Sequence, residues 1–533
     1  MIDEATVYSR PVTPIAVVLI ILLLAVVAFM SNKVPMGLVA LGVAVALWAT
    51  GTLTLNQAFA GFGDPTVIFI ASLFVVSDAL DSTGVTAWAG QQVIGRGGEQ
   101  RPKLLMLICL LVAMLTALIS VNGAVAALIP VVVVVAIRVG IAPSQMLMPL
   151  AFSAHAGSLL ALTGTPVNII VSEAAADAGA RPFTFFEFGL AGVPLLIGTL
   201  AIIVLFGNRL LPHRAPSVIP PDIGNHVRAL TDQYRLPEGT DLVSASKGFT
   251  EVVIPPRSEL IGTHLFPGMT TPSGDLVVLG VQRGGEDLSG AGATLRAGDT
   301  LLLRGTWEKL EAHTAGPEVL VVDDPSDLRR AVPLGVGAKR ALVVLAVMVV
   351  LLATGVVPPA IAGVLAAGAV VLLRVLTPAQ AYRAISWTTV VLVAGMIPLS
   401  TAFISTGAAD LIASRLLSLV GGSSPHLALL AICVLTVVLG QLISNTATVL
   451  IMVPIAAVLA TDLHVSVLPF MMALTVAGAA SFLTPVATAA NTIIMEPGGY
   501  RFGDYWKLGL PLLLLFLAVA VLWVPLLWPF AIA

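Results

Sequence analysis

Long apolar runs alternate with short polar stretches along most of the chain. A helix that crosses a bilayer needs about 20 consecutive apolar residues. Runs of that length, or close to it, lie at 12–30, 34–50, 64–82, 145–176, 187–210, 339–354, 357–376, 388–406, 466–496 and 505–530. The pattern predicts an α-helical polytopic membrane protein.

One interval departs from this pattern. Residues 211–338 hold most of the Asp and Glu residues of the chain, and their Gly-rich turns separate alternating segments such as 251–254 and 276–279. Such alternation is typical of strands. We therefore predict a small α+β domain at 211–338, inserted between a first membrane region (1–210) and a second (339–533).

Composition agrees with a membrane location. Of 533 residues, 58% are hydrophobic and 10% are charged, whereas soluble chains are about 25% charged. The net charge of −3 is too small to indicate a nucleic-acid partner. The segment before the 12–30 run is acidic, unlike a cleaved signal peptide, so we interpret that run as a retained helix of a multi-pass protein of the cell membrane.

The two membrane regions contain matching segments. Residues 107–131 and 431–455 align without a gap, and each is an apolar run broken once by a short uncharged tip. The tips read Ser120-Val121-Asn122-Gly123 and Ser444-Asn445-Thr446-Ala447. Two further pairs of stretches align in the same way, 77–84 with 400–407 and 158–170 with 481–493. The chain is therefore predicted to contain an internal repeat.

Charge predicts the orientation of the two copies. If the 211–338 interval is cytoplasmic, most Lys and Arg residues that flank the apolar runs also face the cytoplasm, as the positive-inside rule requires. An odd number of passes then separates equivalent helices, which makes the repeat inverted. We interpret 102–139 and 424–461 as two re-entrant hairpins, because an uncharged tip would make a poor water-facing loop.

The hairpin tips are the first candidate binding elements. The arm that returns from each tip starts a helix, whose free N–H groups and partial positive charge suit an anion. Side-chain and carbonyl oxygens at the same tips suit Na⁺. The candidate tip residues are Ser120, Asn122, Gly123, Ser444, Asn445 and Thr446, with Na⁺ expected at Ser120, Asn122, Ser444 and Asn445.

Two apolar runs, 145–176 and 466–496, carry a second type of polar break. Thr and Pro are typical of a new helix start, Thr as the cap and Pro at the first helical position. Ordinary kinks at Gly and Pro are the alternative. The candidate binding residues of these interrupted helices are Thr163, Gly164, Thr165, Pro166, Asn168, Thr484, Pro485, Thr488 and Asn491.

One ionisable residue precedes the first of these breaks. His155 could titrate near neutral pH and carry a coupling proton. The alternative is a packing histidine with one backbone hydrogen bond. Cys109 and Cys433 lie inside apolar runs, and we assign them no disulfide or metal role.

The tip Ser444-Asn445-Thr446 and the breaks at 163–168 and 484–491 resemble the divalent anion:sodium symporters, a citrate-transporter-like family. The resemblance covers 12–210 and 339–530. It implies one substrate site flanked by two sodium sites, a homodimeric scaffold and a transport domain that moves like an elevator. The first tip departs from the family, since Val121 stands where Asn is expected.

The inserted interval resembles a second known module. Residues 247–315 are similar to a regulator-of-K⁺-conductance C-terminal domain (RCK-C, or TrkA-C), on the pattern that ends in Leu295-Arg296-Ala297-Gly298-Asp299. The resemblance implies a domain that senses a small-molecule ligand or forms a dimer. It also favours sulfate or another inorganic anion as substrate.

These patterns together predict a secondary active transporter and no enzyme. It would import a small anion, sulfate or a di- or tricarboxylate, with Na⁺ or H⁺ and no other cofactor. Two alternatives remain open at this point. One is an efflux or antiport carrier for arsenite or Na⁺/H⁺, and the other is an RCK-regulated channel or sensor component.

Overall fold

The computed structural model describes most of the chain. The described residues are 14–31, 33–97, 100–214, 223–236, 242–244, 246–271, 273–288, 292–314, 316–330, 332, 334–420 and 424–531. Most of them are helical.

The first membrane region forms ten helices within the described residues. They are α1 (Pro14–Ser31), α2 (Met36–Ala49), α3 (Leu55–Ala58), α4 (Pro65–Ser82), α5 (Val85–Gly97), α6 (Arg101–Leu118), α7 (Val121–Arg138), α8 (Ser144–Gly157), α9 (Pro166–Asp177) and α10 (Gly189–Leu210). Short 3₁₀ turns lie at Ala60–Gly63 and Leu162–Gly164.

The second region repeats this order from α14 onward. Its helices are α14 (Ala338–Thr354), α15 (Pro359–Leu372), α16 (Pro378–Ala384), α17 (Trp387–Thr406), α18 (Ala408–Val420), α19 (Pro425–Gly440), α20 (Asn445–Asp462), α21 (Leu468–Ala479), α22 (Ala489–Ile493), α23 (Tyr505–Ala518) and α24 (Val524–Leu527). Turns of 3₁₀ helix lie at Pro485–Ala487 and Phe502–Asp504, and a π-turn lies at Val519–Trp523.

A mixed segment lies between the two regions. It contains α11 (Ile223–Gln233), β1 (Lys247–Val253), β2 (His264–Leu265), β3 (Leu276–Arg283), β4 (Glu286–Asp287), β5 (Ala293–Thr294), β6 (Thr300–Thr306), α12 (Trp307–Thr314), β7 (Leu320–Val321) and α13 (Pro325–Arg330). Five strands form an antiparallel sheet in the order β4-β3-β6-β1-β7, and β2 pairs with β5. The sheet has its own hydrophobic core around Phe249, Val278 and Leu302.

An ion pair with a buried carboxylate stabilises one turn of this segment. The Asp299 carboxylate accepts hydrogen bonds from Arg283 Nε and Nη2 and from the Arg296 N–H, each at 2.7 Å. Burial opposes ionisation of Asp299, but the guanidinium and the N–H outweigh it and lower the pKa of the carboxyl. The likeness of 247–315 to an RCK-C domain, and a ligand for it, stay predictions.

The apolar runs correspond closely to helices. Seven helices within the described part of the chain are long and apolar enough to cross a membrane, and five shorter apolar helices accompany them. The spanning candidates include α6 and α20, one arm of each tip. Helix length therefore does not decide between a re-entrant and a crossing hairpin, and the re-entrant interpretation stays a prediction. The amphipathic helices α5 and α18 were not predicted.

Helix packing forms two groups that each draw on both regions. In the first group α2 packs on α17 and α15 packs on α4, so helices of one region contact those of the other. In the second group α6, α7 and α8 pack together, as do α19, α20 and α21, and α9 packs on α21. We call these the scaffold group (α1–α4 and α14–α17) and the hairpin group (α6–α10 and α19–α24).

Close approach within the hairpin group depends on small residues. A Cβ on Gly157 would lie 2.3 Å from the Cα of Ala113, so only glycine lets α8 cross α6 at this distance. The polar break that follows Gly157 is thereby held against the arm of the first tip, where Thr163 Oγ1 donates to the Ala117 carbonyl at 2.9 Å. The fold thus places one tip beside one break.

Candidate functional site

Both polar tips are capped helix starts. Ser120 Oγ accepts a hydrogen bond from the Gly123 N–H at 3.2 Å, which caps α7. Ser444 Oγ accepts one from the Ala447 N–H at 3.3 Å and caps α20. The first turn of a helix has no intrahelical partner for its N–H donors, and at the second tip Asn445 Oδ1 accepts one of them, the Thr446 N–H, at 2.8 Å. The tips are therefore suited to an anion, as predicted from their residue types.

Both predicted breaks are present in the apolar runs. Thr165 caps α9 through the Val167 N–H at 3.4 Å, with Pro166 at the first helical position. In the second break Thr488 is the cap, through the Asn491 N–H at 3.3 Å. The pair Thr484-Pro485 precedes that cap and opens a 3₁₀ turn instead.

Two buried asparagines stabilise the backbone of the breaks. Their Nδ2 groups donate to carbonyl oxygens beside the ends of the interrupted helices, where backbone groups lack helical partners. One of these carbonyls, Ala161, also accepts the Gly164 N–H at 3.1 Å. The carbonyl pairs lie at matching positions: Ser158 (2.9 Å) and Ala161 (2.8 Å) for Asn168, and Ser481 (2.8 Å) and Thr484 (3.1 Å) for Asn491. We call this arrangement the asparagine clasp. Both asparagines are fully buried, so their evident role is to hold the breaks open.

His155 joins the two regions at the second break. Its Nε2 lies 3.4 Å from Asn491 Oδ1 and 3.3 Å from Thr488 Oγ1. Because Asn491 Nδ2 already donates to two carbonyls, Oδ1 faces the ring and Nε2 is the atom that donates to it. His155 thus bonds side chains of the other region, which differs from the packing histidine with a backbone bond that was the alternative.

The first break has no counterpart of this contact. The position matching His155 is Gly478 in α21. Asn168 Oδ1, which matches the oxygen that His155 contacts, has no hydrogen-bond partner within the described residues. The two clasps are therefore alike in the bonds their amide nitrogens donate and different in what their oxygens accept.

Tips and breaks meet around one cavity of about 420 Å³. Its lining contains most of the predicted site residues and none of the described Asp, Glu, Lys or Arg residues. The predicted residues on the cavity are Ser120, Asn122, His155, Thr163, Gly164, Thr165, Pro166, Ser444, Asn445, Thr446 and Thr488. The predicted residues that do not line the cavity are Gly123, Asn168, Thr484, Pro485 and Asn491.

Several hydroxyl groups on the cavity escaped prediction. Ser77 is one, and its Oγ accepts the Ser120 N–H at 3.2 Å. It belongs to the matched stretch 77–84, so the repeat could have identified it. The start of α17 had no such signal, because its polar residues precede an ordinary apolar run. The other missed hydroxyl residues are Ser158, Ser386, Thr388, Thr389 and Thr475.

The cavity combines two types of ligand group. Helix starts direct N–H groups and partial positive charge toward it, while hydroxyl and amide oxygens supply ligands for a hard cation. His155 is the one imidazole in the lining. No group of three His, Cys, Asp or Glu residues that could hold a metal ion occurs in the part of the chain described.

Comparison with known proteins places the chain among transporters. The family model described as CitMHS, citrate transporter, matches residues 26–477 and 400–532. An uncharacterized transporter of Escherichia coli (strain K12), YfbS, is 31% identical over 96% of this chain and 99% of its own length. The probable sodium/sulfate cotransporter 3 of Chlamydomonas reinhardtii is 28% identical over 43% of this chain and 27% of its own length.

A solved structure also resembles the fold. The Alcanivorax borkumensis YdaH transporter covers 91% of this chain, and the match covers 89% of YdaH, with 14% identity and a TM-score of 0.48.

Proposed function

The chain belongs to the citrate transporter family, and on that premise we propose that it imports a small oxyanion together with Na⁺ or H⁺. The substrate classes are sulfate and di- or tricarboxylates. Relatives named as sodium/sulfate cotransporters favour sulfate as the substrate. A relative named as a sodium-dependent low-affinity dicarboxylate transporter supports a dicarboxylate as the alternative substrate.

The observation that carries this proposal is the uncharged cavity where capped helix starts meet. Ser120, Thr165, Ser444 and Thr488 cap four helices, and all four residues line the cavity. An oxyanion in this position would accept hydrogen bonds from N–H and hydroxyl groups without a fixed positive charge. Such binding is reversible, as transport requires.

Each coupling ion has a set of candidate residues. Na⁺ would take oxygens of Ser120 and Asn122 at the first tip and of Ser444 and Asn445 at the second. A proton would instead be held by His155, whose charge would then stand beside the anion. In both cases the cation offsets the charge of the substrate, which gives a physical reason for the two to move together.

The proposal includes an architecture. We interpret the two regions as inverted repeats, with re-entrant hairpins at the tips and a cytoplasmic domain at 211–338. The cross-packing of α2 on α17 and α15 on α4 supports a scaffold that both repeats build and that forms a homodimer in the cell membrane. The hairpin group would then move as an elevator and carry the cavity across.

The test is a variant of the second tip. Asn445→Ala removes a carboxamide from the cavity and should reduce uptake of sulfate or succinate into proteoliposomes at least tenfold. The matched control is Thr461→Ala, near the other end of α20, where the hydroxyl bonds only the Ala457 carbonyl on the exposed face.

Counterflow of labelled anion against unlabelled anion separates a carrier from a channel. Wild-type uptake by a well-folded Asn445→Ala protein would refute the proposed site. Efflux without saturable uptake would refute the proposed direction.

A further inference from the structure

The linker between α4 and α5 is covered by the end of the inserted segment (211–338), which we call the insert. The Gly335 N–H donates to the Thr83 carbonyl at 2.8 Å, and the Leu334 N–H donates to the Gly84 carbonyl at 3.4 Å. Thr83 is completely buried. We call Val332, Leu334 and Gly335 the docking segment.

The residue at position 84 has to be glycine for this contact. Gly84 has a φ of +70°, which side chains with a Cβ rarely adopt. A Cβ at this position would also overlap the Val332 carbonyl oxygen and approach the Leu334 nitrogen. Any side chain at position 84 would therefore push the docking segment off the linker.

The matching linker, between α17 and α18, is open among the described residues. Thr406 and Gly407 stand there in place of Thr83 and Gly84. Gly407 has a similar φ of +76°, but a Cβ on it would meet only Asp410 Oδ2 of the following helix, at 3.6 Å. The two linkers thus make the same backbone turn, and the insert covers one of them.

A second contact of the insert is also limited to one copy of the repeat. Gln380 Nε2 donates to Glu311 Oε2 at 2.7 Å and joins α16 to α12 of the insert. Gln380 Oε1 meanwhile accepts the Thr377 N–H and completes the capping box of α16. Gln57 completes the matching capping box of α3, and its described hydrogen bonds all go to Thr54.

The insert also spans the boundary between the two helix groups. Its first residues lie on the hairpin group, where Ser144 Oγ donates to the Pro212 carbonyl at 2.7 Å and Arg214 pairs with Asp504 at 2.8 Å. Its last residues lie on the scaffold group through the docking segment. Rigid groups move relative to one another by backbone rotation at a few linker residues. The docking segment therefore lies on a linker at which the proposed elevator movement requires rotation.

We propose that the insert restrains the α4–α5 linker and thereby slows the movement of the hairpin group. Rotation at Gly84 would have to break two backbone hydrogen bonds and move the Val332 carbonyl. As a control of transport this inference rests on the proposed function, whereas the docking of the segment on the linker is measured separately. The competing interpretation is a contact that only stabilises the insert.

The first experiment loosens the insert without changing the linker. Gln380→Glu keeps the capping oxygen of α16 and places a second carboxylate beside Glu311, so repulsion should weaken the contact. The matched control is Gln57→Glu, which adds the same charge to the same capping box away from the insert. Counterflow of labelled sulfate or succinate in proteoliposomes at about pH 8, where carboxylates are ionised, should be at least threefold faster in Gln380→Glu and unchanged in Gln57→Glu.

The second experiment displaces the docking segment directly. Gly84→Ala introduces the overlap with Val332, and its matched control Gly407→Ala brings the same unfavourable backbone conformation to the open linker. Backbone amide hydrogen exchange of the purified protein reports on docking without transport. Exchange at Leu334 and Gly335 should be at least tenfold faster in Gly84→Ala and unchanged in Gly407→Ala. Counterflow should again rise only in the first variant.

Three results would overturn the restraint. They are rapid exchange at the docking segment in wild type, counterflow that is unchanged or slower in Gln380→Glu, and equal counterflow in a variant and its matched control. If Gly84→Ala does not fold, Gln380→Glu and Gln57→Glu decide. If counterflow is absent in wild type while the exchange results are as expected, the docking contact stands, and the proposed transport function falls together with its control.

Discussion

The two tip-and-break pairs of this protein share most of their capping hydrogen bonds and differ in the side chains around them. Ser120 and Ser444 cap their helices at nearly equal distances, and Asn168 and Asn491 donate to carbonyls at matching positions. Around this common frame, one pair has Asp81 beside its tip, and the other has the asparagine carboxamide of the Ser-Asn-Thr sequence. The comparison teaches that the hydrogen bonds which stabilise a break can persist while the side chains around it diverge.

The two breaks also differ in the side chains that contact their asparagines. His155 contacts the second clasp, whereas glycine stands at the matching position of the other region and leaves Asn168 Oδ1 without a described partner. One region thus supplies a titratable group to the site of the other. The symmetry of the backbone therefore does not imply two equivalent sites.

The largest expected effect is on the clasp itself. Asn491→Ala takes the side-chain donor from the Ser481 and Thr484 carbonyls, which should destabilise the protein by about 2–6 kcal/mol. Asn168→Ala takes it from the Ser158 carbonyl, whereas the Ala161 carbonyl keeps the Gly164 N–H, so a cost of about 1–3 kcal/mol is expected. Asn491→Ala should be the more harmful because it also deprives His155 of its acceptor. Thermal unfolding in nanodiscs measures both. If Asn168→Ala were as stable as wild type while Asn491→Ala was destabilised, the two clasps would not have the same structural role.

The next effect concerns the one imidazole on the cavity. If His155 carries the coupling proton, anion uptake should fall about tenfold as pH rises through its titration, and His155→Gln should make uptake independent of pH. Gln retains an N–H for Asn491, so folding should be preserved. Uptake at several pH values with the substrate in one ionic form is the measurement. An unaltered pH profile in His155→Gln would assign coupling to Na⁺.

A smaller and equal effect is expected at the two caps. Ser120→Ala and Ser444→Ala each remove one capping bond, and each should reduce stability by about 1 kcal/mol. If Na⁺ binds at both tips as proposed, each variant should also weaken the stabilisation by Na⁺. Unfolding with and without Na⁺ measures both the cap and the ion contact. A full Na⁺ response in either variant would remove that serine from the proposed ligands.

The smallest effect lies at a contact between the regions. Burial opposes ionisation of Glu187, but hydrogen bonds from Arg181, the Thr184 N–H and Trp528 Nε1 lower its pKa to about 2. Arg181→Met should cost at most about 1 kcal/mol, because the Arg181 side chain is 53% exposed and water screens the pair.

The pH window of this effect follows from the lowered pKa. The stabilisation is complete above the unfolded pKa of about 4.3 and is lost as pH falls toward about 2. Wild type and Arg181→Met should therefore differ most near neutral pH and converge in acid. Thermal midpoints between pH 3 and 7 test this. A difference that grew in acid would show that the carboxylate is not what Arg181 stabilises.

The sequence by itself determined the helices and the breaks. Apolar runs are long because bilayer thickness sets their length, and the polar tips are visible because nothing else interrupts such runs. The sequence also predicts a helix start where the capping residue directly precedes the helix, as at Thr165-Pro166. At the second break it left the helix start open, and the structure puts the cap at Thr488, after the 3₁₀ turn at Pro485.

Only the tertiary structure decided which of these residues face one another. Asp81 and Gly123 lie on different helices, and nothing in their spacing indicates that one occupies the space the other leaves. His155 reaches Asn491 across the two regions for the same reason. Helix periodicity governs neighbours within a few residues, whereas contacts between helices depend on crossings that small residues such as Gly157 permit. The tips and breaks could therefore be predicted along the chain, whereas the contacts between them depend on how the helices pack.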